Sequence, residues 1–73
     1  MEEYQERVLV EQKELSDKIV KLTTFLTDKD NLIKISNMEY EHLYEQLQIM
    51  LRYNFILLTR IRYIIIPEQS VSL

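Results

Sequence analysis

Between Tyr40 and Ile64 the apolar positions Tyr40, Leu43, Leu47, Met50, Leu57, Ile61 and Ile64 recur in alternating steps of three and four, with Asn54 in the one remaining slot. That is the heptad spacing of a long helix with a buried stripe. A second row, Tyr44, Leu51, Phe55, Leu58 and Ile65, runs beside the first, and Ile49, Ile56 and Tyr63 add a third. A single partner helix covers one such row, so the pattern predicts more than one neighbour.

Upstream, Tyr4, Val8, Leu15, Ile19, Leu22 and Leu26 mark one face of a Gly- and Pro-free segment, and Gln12 fills the gap between Val8 and Leu15. The spacing predicts an amphipathic helix over residues 2–26. Lys13, Asp17, Lys18 and Lys21 lie off that stripe and are expected to form a solvated face. Residues 27–36 form the connection. Thr27, Asp28, Lys29, Asp30 and Asn31 compete for their own backbone and end the helix. Leu32, Ile33 and Ile35 are expected to fold over the end of the hairpin. Ser36, followed three residues later by Glu39, fits a capping box, so a second helix is expected over 37–66, stopped by Pro67. Residues 67–73 are expected to be a flexible tail unless Val71 and Leu73 dock on a neighbour.

The fold class predicted is therefore all-α: a two-helix antiparallel hairpin, residues 1–66, assembling into a homo-oligomeric helical bundle. With 73 residues, no cysteine and one histidine, neither disulfides nor zinc can staple so small a core. Oligomerisation remains, with a tetramer or hexamer favoured over a dimer by the number of apolar rows. Gln12 and Asn54 are polar interruptions of the two seams. They are expected to specify the oligomer or its register by bonding each other or their symmetry mates. On that reading Asn54→Ile raises thermal stability and loosens the choice of oligomer.

Composition narrows the function classes. A net charge of −3 argues against long nucleic acids. The apolar run over 49–66 approaches membrane-spanning length, but Arg52, Asn54, Arg60 and Arg62 lie within it, and each buried charge costs about 2.5–3.5 kcal/mol. No membrane span and no cleavable signal are expected, and the host cytoplasm is the expected location. The chain contains no cysteine and no glycine, hence no Gly-rich phosphate loop, and no helical His-Glu-x-x-His. Its serines offer no activated nucleophile. No catalytic residue, cofactor or metal site is expected, and the chain reads as a non-enzyme.

The charge is unevenly placed. Residues 2–30 hold eight acids and five bases, whereas residues 46–66 hold Arg52, Arg60 and Arg62 and no acid. Antiparallel pairing brings Tyr4 and Arg7 towards Arg60, Arg62 and Tyr63, with Tyr53 nearby. Two readings of this cluster stand side by side. It is a site for a small anionic nucleotide, with guanidinium forks for phosphate and tyrosine faces for bases. Or its arginines pair with Glu2, Glu3, Glu6 or Glu11 of the same or a neighbouring chain.

The combination of Tyr4-x-x-Arg7-Val8, Glu11, Leu15, Ile19, Leu22 and Phe25-Leu26 with Gln46-Leu47-x-x-Met50-x-x-Tyr53 and Leu57-x-x-Arg60-Ile61 resembles short helical-hairpin bacteriophage proteins related to one from crAss-like phages. The architecture is also similar to that of phage anti-CBASS and anti-Thoeris sponges, which hold nucleotide immune signals without cleaving them. The resemblance implies a phage-encoded sponge for a cyclic oligonucleotide or ADP-ribose derivative. The rival expectation is an oligomeric interaction module that lays an apolar helix face on a host or virion protein.

Overall fold

A computed structural model describes residues 2–65. It is all-helical among these residues, with α1 over Glu3–Thr27, a single turn α2 over Lys29–Leu32, and α3 over Asn37–Ile65. α1 and α3 fold back on one another as a hairpin about 52 Å long and 15 Å thick. Ile66, the expected tail over 67–73, and the expected docking of Val71 and Leu73 lie outside the described residues.

Local chemistry sets the boundaries. At the start of α1 the Glu2 backbone N–H donates to Gln5 Oε1 at 2.9 Å, reaching back from the third helical position. Asp28 serves two helices at once. Its N–H closes α1 onto the Phe25 carbonyl, and its carboxylate accepts from the Asp30 N–H at 3.0 Å to start α2. The Asn31 side chain adds a bond to the same Phe25 carbonyl at 3.4 Å. α3 begins where Ser36 Oγ accepts from the Glu39 N–H at 3.1 Å.

The core is thin. Val8, Leu15 and Leu57 form its centre, and Ile19, Met50, Ile61 and Ile64 pack against it. Among the described residues Leu57 alone is completely shielded, while Leu26 and Leu47 are buried towards the connection. Tyr4 and Tyr40, expected on the seams, are exposed instead. Both lie in the first turn or two of their helices. A straight helix drifts about 20° per heptad from a 3.5-residue stripe, so a pattern centred on the middle of the hairpin swings out at its ends. In the connection the apolar triplet divides. Leu32 and Ile35 are half-buried, whereas Ile33 is 82% exposed, because the unforeseen turn of α2 points it away from the hairpin.

The second and third rows of α3 stay uncovered. Tyr44, Leu51, Phe55, Leu58 and Ile65 are exposed along one flank, and Ile49, Ile56 and Tyr63 around the back. No helix among the described residues is long and apolar enough to cross a membrane.

Candidate functional site

Two side-chain bonds join the helices at mid-length. Gln12 Nε2 donates to Asn54 Oδ1 at 3.2 Å, and Tyr53 Oη donates to the Glu11 carboxylate one residue away on each helix. The amides of the core layer thus bond each other within one chain, and this half-buried polar rung pins the register of α1 against α3. A one-residue slip breaks both bonds together.

Tyr53 anchors the candidate site. The bond to Glu11 pushes the Tyr53 phenol above the ordinary tyrosine range, and the nearby Glu11 charge adds to the effect. Arg60, two turns further along α3, lies close enough to oppose it. Glu11, Tyr53 and Arg60 therefore share one flank of the hairpin. Tyr4 and Arg7 stand seven and four residues before Glu11 and lie along the same edge of α1.

The structure divides the expected set. Arg62 follows Arg60 by two residues, about 200° around the helix, and falls on the opposite flank beside Leu58 and Ile65. Tyr63 sits on the back of α3 with Ile56, 56% exposed. Arg7 lines a shallow concavity of about 490 Å³ together with Glu3, Glu6, Val10, Glu11 and Glu14. Four glutamates share that concavity with Arg7. Arg7 thus lies on an acidic face of α1, whereas Arg60 lies on a stretch of α3 that carries no acid.

A second concavity escaped the sequence reading. Towards the connection, Leu22, Phe25, Leu43 and Met50 floor a groove of about 390 Å³ between α1 and α3, rimmed by Lys18, Lys21 and Gln46. The lysines read as part of a solvated face. Their spacing to Leu22 and Phe25 is the signal that places them instead on the lip of an apolar cleft. Gln46 Nε2 makes a long contact of 3.8 Å to the Met50 sulfur, a weak acceptor.

Among the described residues, no group of three or more His, Asp or Glu side chains stands close enough to hold a metal ion. His42 is exposed on the acidic start of α3. No curated protein and no solved structure shows significant similarity to the chain. The Sequestin family, however, matches residues 2–63, which takes in α1, all but the last two residues of α3, the polar rung and every described member of the candidate site. On that match the chain belongs to the Sequestin family.

Proposed function

We propose that this chain is a phage-encoded, non-enzymatic sponge that sequesters a nucleotide immune signal, a cyclic oligonucleotide or ADP-ribose derivative, at the subunit interfaces of a homo-oligomer in the host cytoplasm. The family's name supports a sequestering role. The observation that carries the reading to particular residues is the Tyr53–Arg60 flank. There Arg60 shares one flank with a phenol held in place by Glu11, and Tyr4 supplies a further exposed ring. A single hairpin offers this as an open surface. A neighbouring subunit would close it, exclude water and strengthen each charged hydrogen bond. Nothing in the composition supplies an activated nucleophile, so the ligand is held and released unchanged.

The test is a panel of cyclic dinucleotides, cyclic trinucleotides and ADP-ribose derivatives, read by thermal shift and followed by recovery of the bound compound. A ligand that binds only the folded assembly raises its Tm. Arg60→Ala should weaken binding by about 1.5–3 kcal/mol and Tyr4→Ala by about 1–3 kcal/mol while the oligomer persists. Loss of binding in Lys18→Ser or Lys21→Ser, with Arg60→Ala unaffected, moves the ligand to the groove at the connection. A compound recovered cleaved refutes the sponge.

The extent of uncovered apolar surface on α3 favours a second reading, a docking module for a host or virion protein. The finished oligomer discriminates. A sponge buries those rows between its own subunits, whereas a docking module leaves one of them open to a solvatochromic dye.

A further inference from the structure

α3 is electrically divided. Its first nine residues hold Glu39, Glu41 and Glu45 with no Lys or Arg, and the remainder, from Gln46 to Ile65, holds Arg52, Arg60 and Arg62 with no acid. Along one flank of this divided helix runs the uncovered seam of Tyr44, Leu51, Phe55, Leu58 and Ile65. The steps 44, 51, 58 and 65 are exact heptads, with Gln48, Phe55 and Arg62 between them, the repeat that lets two helices interlock. At its acidic end, Tyr40 and Tyr44 already stack, ring centroids 6.3 Å apart and 25° from parallel.

We infer that this seam is the contact between two copies of the chain, and that the two α3 helices pair antiparallel through it. A parallel pair sets glutamate against glutamate and arginine against arginine along the whole seam. An antiparallel pair sets the acidic end of each helix on the basic end of the other, at both ends at once. With Leu51 near the two-fold axis, Tyr44 meets the second copy's Leu58, and Arg62 reaches the second copy's Glu41 and the faces of its stacked tyrosines. Guanidinium–carboxylate pairing and cation–π contact then act on the same side chain.

The surface is large enough. Aromatic side chains present about 150–250 Å² each, so Tyr40, Tyr44, Leu51, Phe55, Leu58 and Ile65 at their observed exposures leave on the order of 600 Å² of apolar area per chain. Stable complexes bury roughly 800 Å² per partner, which the polar rim supplies. The pair leaves Ile49, Ile56 and Tyr63 free, the row from which a tetramer or hexamer is built. It also accounts for Arg62, which the hairpin separates from Arg60: one arginine holds the partner and the other faces the candidate ligand site. The inference deepens the oligomer of the proposed function and needs no ligand, so its test fails or succeeds independently of the sponge.

The chain lacks cysteine, so single cysteines report on geometry directly. Leu51→Cys should cross-link to itself under mild oxidation. Tyr44→Cys should not, but should cross-link to Leu58→Cys when the two proteins are unfolded, mixed and refolded. Self-linking of Tyr44→Cys as efficient as that of Leu51→Cys overturns the antiparallel arrangement, and an assembly in which Leu51→Cys never links overturns the seam. Arg62→Glu should raise the dissociation constant roughly tenfold by setting it against the second copy's acids. The double variant Arg62→Glu/Glu41→Arg should recover the loss, with helical content by circular dichroism confirming that both variants fold. Failure of the reversal to rescue counts against the pairing.

Discussion

Replacing Asn54 with Leu tests what the polar rung does for the fold. In the structure Asn54 Oδ1 accepts from Gln12 Nε2 at 3.2 Å inside a half-buried layer between Leu15 and Leu57. The variant adds an apolar contact to the seam but strands the Gln12 amide, and an unsatisfied buried polar group costs about 1–3 kcal/mol. Partial exposure places this case near the lower end, about 1 kcal/mol. The same argument applies to Gln12→Leu. The double variant strands nothing and replaces the rung with packed leucines, so it should match or exceed the parent. The two single losses then fail to add by about 2 kcal/mol. Urea unfolding of all four proteins at one fixed concentration measures the coupling, because assembly makes stability concentration-dependent. Additive effects, or an Asn54→Leu variant more stable than the parent, refute the intrachain rung. The latter result favours the sequence-based expectation that an apolar residue at Asn54 raises thermal stability and loosens the choice of oligomer.

Three further outcomes follow from the described contacts. Leu57→Ala removes a fully shielded side chain and should cost about 2–5 kcal/mol, enough to lower the thermal midpoint sharply in a core this thin. Ser36→Ala removes the hydroxyl that caps α3 and should cost about 1 kcal/mol by the same measurement, with Ser36→Asp close to the parent. The Tyr53 phenol has its folded-state pKa raised by the bond to Glu11, so the stabilisation it brings is complete below the ordinary tyrosine value and is lost as pH rises through the raised one. Stability measured across that alkaline range should fall in the parent, and Tyr53→Phe should remove that component of the fall.

The hairpin was legible because its signals are redundant. Heptad steps, the polar cluster at Thr27–Asn31 and the Ser36–Glu39 cap all imply two helices and one reversal. The rung was legible for a related reason: Gln12 and Asn54 interrupt their stripes at positions that antiparallel pairing brings together. The ends were less so, since periodicity assigns Tyr4 and Tyr40 to a stripe without revealing how far that stripe has rotated out of the interface there. The grouping of the candidate site was the least legible part. Arg60 and Arg62 are neighbours in the chain, and grouping them by nearness overlooked the 200° of rotation between them. The acidic face around Arg7 and the lysine-rimmed groove depend on which edge of α1 meets α3, a fact of packing that charge counts do not carry.

The reversal between the helices has a consequence for how such a chain can vary. No residue among those described has a positive φ, no peptide bond is cis, and the whole sequence contains no glycine. The connection is therefore built entirely from conformations open to every ordinary L-residue, with the direction of the chain set by two carboxamide or carboxylate caps at Asp28 and Asn31 and a hydroxyl at Ser36. Stereochemistry imposes no invariant position on this turn. Its sequence is free to drift so long as short polar side chains remain near those places, and relatives of this hairpin are better recognised by the spacing of caps and seams than by any fixed residue in the bend.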